Sequence, residues 1–243
     1  MAWTLTSKLL PAQEGIEWLQ GTASLLHVVG ALYKMVDGLP VVIAGQTEQP
    51  FGVYQNMDPQ PYNGQSGYNI NGVNASPLRP ATENTTTTKG ERCAFIPLTP
   101  GLVLDTDLTP LLSRVAAAAN TNTAQAICAY GGSTGDFTGG IVYLPEQDWQ
   151  GIITASGVAA GNVTIVFTPA APRACTTGDV VSAICFGVGD SPKFASSSPE
   201  LGLSNAFADI ASGLVMVRKV QGQFGATKGS AFRISCQMKA PLQ

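Results

Sequence analysis

Charged residues are scarce in this 243-residue chain, where Asp, Glu, Lys and Arg together make up only 12% of the sequence. Soluble domains usually carry roughly 25% of these residues. The 13 basic and 16 acidic residues give a net charge of −3 at pH 7, and no basic cluster is present. Because nucleic-acid binding requires a concentrated positive patch, we expect no nucleic-acid partner. A chain with so few charges is often kept soluble by hydroxyl and amide side chains, or has most of its surface covered in an assembly.

Histidine is nearly absent, and the cysteines form no Cys-x-x-Cys pair. The one histidine, His27, lies in an apolar run, which favours a buried structural side chain over a catalytic one. Most of the five cysteines also lie in apolar, strand-like runs, where a thiol behaves as a small hydrophobic group. We therefore expect free buried thiols rather than disulfides or metal ligands. The cysteines are Cys93, Cys128, Cys175, Cys185 and Cys236.

Long hydrophobic runs are missing as well. The apolar stretch at residues 25–35 is too short to span a bilayer, and it contains His27 and Lys34. The first residues, MAWTLTSKLLPAQEG, lack the basic region and the long apolar region of a signal peptide. We therefore expect no membrane partner and synthesis in a cytoplasm.

The motifs that could carry chemistry are few, and each is better explained as a turn. Residues 189–192 (GDSP) resemble the start of a lipase-type block, but no strand–turn–helix context and no paired base follow. Asp105 and Asp107 could offer carboxylates to calcium, although Asp is also favoured in turns by local hydrogen bonding. Asp136 and Asp179 follow glycines and are interpreted in the same way. Without a phosphate loop, dinucleotide fingerprint or zinc spacing, the sequence predicts no enzymatic activity, no cofactor and no metal site.

What the sequence does contain is the pattern of β-strands and tight turns. Residues 30–55 predict a β-hairpin followed by a third strand, because Asp37-Gly38 separates two apolar runs. A type I′ turn needs positive φ at both central residues, which this dipeptide accepts. Pro40 has no N–H for a ladder, so its strand is predicted at a sheet edge. The predicted pairs are Val36–Leu39, Met35–Pro40, Lys34–Val41, Tyr33–Val42 and Leu32–Ile43.

The pattern of this hairpin returns after seventy positions. The segment at 52–54 is likewise similar to 126–128, and 93–98 to 141–146. Both passes follow the order strand, Asp turn, strand, polar loop, short strand, Gly-rich loop, strand. We interpret this as a degenerate internal duplication. The residues that match are Leu32 with Leu102, Asp37 with Asp107, and Pro40 with Pro110.

Composition divides the chain into three predicted regions. Residues 1–24 form an N-terminal arm, 25–145 a duplicated β domain, and 146–243 a C-terminal β domain. Residues 58–89 form a long loop rich in Pro and Gly, without apolar periodicity. Loops of this length within a domain are usually functional or disordered. It either reaches across a subunit boundary or is a mobile tip.

The C-terminal region contains several further strand candidates and one short helix, predicted at residues 204–212. The fold class predicted for the whole chain is mainly β, with few short helices. Its units should be similar to β-barrels or β-tulips built by the internal duplication, followed by the C-terminal β region. The strand candidates are residues 151–155, 163–168, 180–187, 214–220 and 231–238.

Large apolar and aromatic residues in the arm and in the long loop are the candidates for a partner interface. The arm packs either on its own core or on a neighbouring subunit, and the tyrosines of the loop offer adhesive side chains with little entropy to lose. The candidate interface residues are Trp3, Leu5, Leu9, Leu10, Tyr62 and Tyr68.

This plan resembles the small capsid decoration, or cement, proteins of tailed bacteriophages. Those proteins share a run of the type G-x-x-V-x-x-x-D-G-x-x-x-x-A, then a polar loop, then G-V, then G-x-x-V-x-V. The first pass runs through Gly30, Asp37, Gly38, Ala44, Gly52, Val53, Gly90 and Ile96. The second pass runs through Gly101, Asp107, Leu108, Ala116, Ile127, Gly140 and Leu144.

The resemblance implies a β-barrel or β-tulip that binds the outer capsid surface without enzymatic activity. It also implies the major capsid protein as partner, self-association as a homotrimer, and a place on the virion after assembly in the host cytoplasm. Two alternatives stay open: another virion part (tail, fibre or major capsid component), and a carbohydrate-binding or carbohydrate-degrading surface protein. The major capsid protein is disfavoured by the lack of a long amphipathic charged helix. A glycosidase would need a carboxylate pair in a cleft.

Overall fold

The predicted mainly β fold is confirmed by the structure, a computed structural model. It describes residues 3–5, 17–20, 26–27, 30–43, 48–54, 85–86, 92–108, 111–115, 121–130, 135–194, 203, 214–224 and 230–239. One turn of 3-10 helix, Pro145–Gln147, is the only helical element within these ranges. The strands are β1 (Trp3–Leu5), β2 (Glu17–Gln20), β3 (Leu26–His27), β4 (Leu32–Val36), β5 (Leu39–Val42), β6 (Gly52–Tyr54), β7 (Thr85–Thr86), β8 (Arg92–Pro97), β9 (Val103–Leu108), β10 (Leu111–Val115), β11 (Gln125–Ala129), β12 (Ile141–Leu144), β13 (Trp149–Ala159), β14 (Asn162–Thr168), β15 (Val180–Ile184), β16 (Val215–Phe224) and β17 (Ser230–Met238).

The Asp37-Gly38 hairpin lies in a five-stranded sheet with the order β2-β8-β6-β4-β5. Asp37 has φ 51° and Gly38 has φ 79°, the positive values that a type I′ turn requires. The predicted register from Val36–Leu39 to Tyr33–Val42 is confirmed, and the Ile43 N–H donates to the Leu32 carbonyl at 3.3 Å. Strand β5, which contains Pro40, is an edge strand of this sheet, as predicted.

Six strands form a closed barrel in the order β10-β11-β14-β13-β12-β15, and β15 closes the ring by pairing with both β10 and β12. Alternate residues of β14 are buried, as expected where one face of a strand meets a core. Its long hairpin with β13 turns at Ala160 (φ 49°) and Gly161 (φ 76°), and a bulge lies between Ile153 and Ala155. The five predicted C-terminal strands correspond to β13 to β17.

A four-stranded sheet with the order β1-β9-β17-β16 packs one face against the barrel. The ring of Phe232 in β17 meets the ring of Tyr143 in β12 edge-on, with centroids 6.3 Å apart. Leu104, Ile234 and Cys236 are fully buried in the same core. Sheet and barrel therefore share one hydrophobic core. The residues that alternate with these core positions along β17 lie on the opposite face of the sheet.

The predicted internal duplication is corrected by the strand pairing. Strands β4 and β5 form a hairpin, whereas β9 and β10 lie in different sheets. Asp107 and Leu108 do not turn but continue β9, opposite Arg233 and Phe232. Leu108 stands where the first pass has Gly38, and a leucine is strained in the left-handed conformation that the turn needs. The two passes therefore contain strands in the same order along the chain, but these strands pair differently in the two passes.

The predicted region boundaries also fall differently in the structure. A division at residue 145 would separate β12 from β13, which pair with each other inside the barrel. Both described strands of the arm belong to sheets of the same chain, since β1 pairs with β9 and β2 with β8. Within the long loop, only Thr85–Thr86 is described, and it pairs with β3. The predicted helix at 204–212 lies outside the described residues.

Candidate interaction surface

His27 is part of a buried aromatic cluster. It is fully buried and stacks on Tyr33 with ring centroids 5.4 Å apart, while Tyr54 and Phe95 lie at 5.3 and 6.3 Å. All four side chains come from strands or turns of the five-stranded sheet and its two-stranded neighbour. The prediction that His27 is buried is confirmed, and this cluster packs the core of that sheet.

The described thiols are free and buried, as predicted. Burial raises the pKa of Cys128 and of Cys236 to about 12 and that of Cys175 to about 11. Because the thiolate is the reactive form, these side chains behave as small hydrophobic groups. The free thiols are Cys128, Cys175, Cys185 and Cys236, while the side chain of Cys93 lies outside the described part of the chain.

Asp105 joins β9 to β17 across their outer face. Its Oδ2 accepts from Arg233 Nε at 3.0 Å and Nη2 at 2.7 Å, and its Oδ1 accepts from the Ser235 hydroxyl. Asp105 is only 4% exposed, so these hydrogen bonds satisfy both oxygens of a nearly buried carboxylate. The turn predicted at Asp107 is wrong, because both aspartates belong to a strand. Among the described residues, no group of three or more His, Cys, Asp or Glu could hold a metal ion.

Asp136 and Asp179 stabilise turns, as predicted. Asp136 accepts from the Thr138 N–H at 2.9 Å and from the Ser156 hydroxyl at 3.0 Å. The hydrogen bonds from Thr138 and Ser156 lower the pKa of Asp136. Burial opposes ionisation of Asp179, but hydrogen bonds from Thr176 and Arg173 prevail and lower its pKa. These carboxylates are committed to local structure.

Ser191 and Lys239 form a contact between a serine and an amine. Lys239 Nζ donates to Ser191 Oγ at 2.7 Å, and the Ser191 hydroxyl donates to the Val215 carbonyl at 2.5 Å. A nucleophilic serine must instead give its proton to a base. Here the proton points to a backbone carbonyl, and the lysine acts as a donor. The hydrogen bond from Ser191 to the Val215 carbonyl joins this segment to β16, directly after the turn at residues 187–190, which contains the first two residues of GDSP.

A small cavity lies beside Lys239, where the five-stranded sheet meets the four-stranded one. Its volume is about 30 Å³, room for about one water molecule, whereas ligand sites usually measure about 300–1,000 Å³. This cavity is too small for a substrate. It is lined by Gln49, Pro50, Leu98, Leu214, Met238 and Lys239.

The outer edge of β16, here named the closed edge, is covered by the chain itself. The Val217 N–H donates to the Asp190 carbonyl at 2.9 Å, and the Gly189 N–H donates to the Val217 carbonyl at 2.8 Å. Further along, the Gln150 Nε2 donates to the Val220 carbonyl at 3.0 Å, and its Oε1 accepts from the Gly222 N–H at 2.7 Å. The side-chain amide thus makes the two hydrogen bonds that a neighbouring strand would make. The side chain of a barrel strand thus completes this sheet edge.

At the closed edge, Gly222 packs closely against the ring of Tyr143. A Cβ added at Gly222 would lie 2.2 Å from Cγ of Tyr143, so the ring lies directly on the glycine. The Tyr143 hydroxyl donates to Asp148 Oδ1 at 3.0 Å. Burial, reinforced by this hydrogen bond, raises the pKa of Tyr143 to about 12. Sequence reasoning missed Gln150, Gly222 and Tyr143, because a polar residue or glycine in a strand gives no signal of a partner so distant in the chain.

At the other end of the sheet, the described strand that pairs with β9 is the short strand β1. Trp3 pairs with Thr106, Thr4 with Asp105, and Leu5 with Leu104. We name this segment of β9, Leu104–Thr106, the docking edge. Two predicted interface residues, Trp3 and Leu5, are therefore placed at the sheet edge. The others, Leu9, Leu10, Tyr62 and Tyr68, lie outside the described residues.

Comparisons of the chain with protein-family models, curated proteins and solved structures give no match. Among the described residues, no helix has the length and apolar character needed to cross a membrane.

Proposed function

We propose that this protein is a non-enzymatic structural component of a bacteriophage particle. In this proposal it decorates the capsid and bridges neighbouring major capsid subunits, and it associates with itself, as a homotrimer. It is assembled in the host cytoplasm and resides on the virion surface. The proposal needs no cofactor, no nucleic acid and no membrane.

The observation that carries this proposal is how the buried and half-buried polar side chains are used. Asp105, Gln150 and Ser191 each join one strand or turn to another. Chemistry requires polar groups that converge on a space for a substrate. These side chains instead hold strands of the chain together, and the proposal takes such stiffening to suit a protein that acts by holding its neighbours.

The first pass of the decoration-protein pattern supports the same proposal. Gly30 to Ile43 folds as the hairpin that the pattern predicts, and Gly52–Tyr54 follows as its neighbour in the sheet. A block of this kind binds through several modest contacts with different subunits. Their sum is strong because each contact, once made, raises the effective concentration for the next.

The test is addition of the purified full chain to capsids from an infection in which its gene is deleted. We expect the chain to sediment with these capsids and to raise the temperature at which they open. Capsids that already carry the chain are the matched control and should take up no more. Failure to bind capsids would overturn the proposal. Binding to host cells would instead support a tail or fibre protein, and release of sugars from host polysaccharide a carbohydrate-active one.

A further inference from the structure

We propose that the docking edge, Leu104–Thr106 of β9, receives β1 from a second copy of this chain. The copies would then be joined by exchange of their first strands. This inference rests on the self-association in the proposed function, but it does not depend on capsid binding.

The first step is the size of the strands. β1 has three residues, while β9 has six. The pairing with β1 covers half of these six residues, with Trp3, Thr4 and Leu5 opposite Thr106, Asp105 and Leu104. Among the described strands β1 pairs with β9 alone, so its release breaks one short strand pair there.

The second step is the reach of the segment. β1 and β2 belong to different sheets, and eleven residues, 6–16, separate them. Fully extended, eleven residues span up to about 36 Å. That length is about twice the radius of gyration expected for a domain of this size, about 18 Å. The connection is therefore long enough for β1 to leave its own β9 and reach the β9 of a neighbour.

The third step is the match between β1 and the docking edge. Trp3 and Leu5 stand opposite Thr106 and Leu104, which are both buried. Main-chain hydrogen bonds give a docked strand its affinity, whereas alternate side-chain positions give it specificity. A second copy supplies the same two apolar residues in the same register. Exchange then replaces each contact with an identical one, which makes it a low-cost route to an oligomer.

The test is disulfide trapping in the double variant Trp3→Cys/Thr106→Cys. These two positions face each other in the register, and directly opposite residues are close enough for a disulfide. Thr106 Oγ1 is buried and has no hydrogen-bond partner among the described residues, so its replacement by cysteine removes no hydrogen bond from them. The folded protein is oxidised with oxidised glutathione and separated on a non-reducing denaturing gel.

Exchange predicts covalent species of two or more chains, which reducing agent returns to single chains. The single variants Trp3→Cys and Thr106→Cys are the matched controls and should give no such species. A product that migrates only as a single, internally linked chain would overturn the inference. If that product still binds capsids, the inference fails while the proposed function stands.

A second measurement covers the case in which the double variant does not fold. The chain without residues 2–5 is compared with the full chain by light scattering after size exclusion. We expect the mass to fall from that of an oligomer to that of a single chain of about 25 kDa. An unchanged oligomeric mass would overturn strand exchange.

Discussion

The two outer strands of the four-stranded sheet are closed in opposite ways. β16 has backbone groups at three positions, Val217, Val220 and Gly222, satisfied by a turn and by a barrel side chain. β1, in contrast, is three residues long and pairs with β9 alone among the described strands. One end of the sheet is thus built into the body of the molecule, and the other is closed by a segment that the chain can exchange. The predictions below test this contrast.

The largest effect is expected for Gly222→Ala. The added Cβ would lie 2.2 Å from Tyr143 Cγ, so the ring or the strand must move and the closed edge must open. Overpacking of this kind costs about 3 kcal/mol of unfolding free energy, measurable by urea denaturation. Gly157→Ala is the matched control, because Gly157 is also in a strand and has no atom within 4 Å of the added Cβ. A similar loss in both variants would contradict the role of Tyr143.

A smaller effect is expected for Gln150→Leu. The leucine retains the bulk of the side chain but leaves the Val220 carbonyl and the Gly222 N–H without their partner. Unsatisfied backbone groups of this kind cost about 2 kcal/mol. Urea denaturation should report that loss, and faster labelling of the buried Cys236 thiol should accompany it. Gln150→Glu keeps the acceptor for Gly222 and should lose less.

The next effect is expected for Asp190→Ala. The Asp190 carboxylate accepts from the Gly187 N–H at 2.7 Å and so shapes the turn that covers Val217. Loss of this charge-assisted hydrogen bond should cost about 1.5 kcal/mol. Amide hydrogen exchange at Val217 should become faster, while exchange in the Asp37-Gly38 hairpin should not change. Unchanged amide exchange at Val217 would show that the shape of this turn does not protect the closed edge.

The smallest effect, of opposite sign, is expected at the docking edge. Thr106→Val removes a buried hydroxyl that has no partner among the described residues. The valine has a similar shape, so stability should rise by about 1 kcal/mol in urea denaturation. Thr106→Ser retains the hydroxyl and should not gain. A loss in Thr106→Val would mean that the hydroxyl contributes a contact, which would weaken the contrast between the two edges.

Tight turns could be predicted from the sequence only where their residues favour positive φ. Asp37-Gly38 does so, and both the turn and the register followed correctly. Ala160-Gly161 adopts nearly the same φ angles, but alanine is not a residue that normally takes them. No local sequence pattern therefore predicted the hairpin of β13 and β14. Its turn is determined by the pairing of these two strands.

The strand at Asp107 and the closed edge could not be predicted, because distant residues determine both. Asp107 is held in β9 opposite Arg233, more than a hundred positions along the chain. Gln150 meets β16 across seventy positions. Local preference for a turn at an aspartate was outweighed by pairing along the whole of β9. Similarly, Trp3 and Leu5 could be selected from their size and position, but the strand that receives them could not.

The tip of the β13–β14 hairpin has a practical consequence. Ala160 and Gly161 are exposed, and the pairing of Ala159 with Asn162 closes the ladder directly beneath them. Exposed tips of this kind accept insertions, and opening the turn would release an alanine from its left-handed conformation. A foreign peptide grafted between these two residues would stand clear of the barrel, which makes the tip a point of attachment for epitopes or affinity tags.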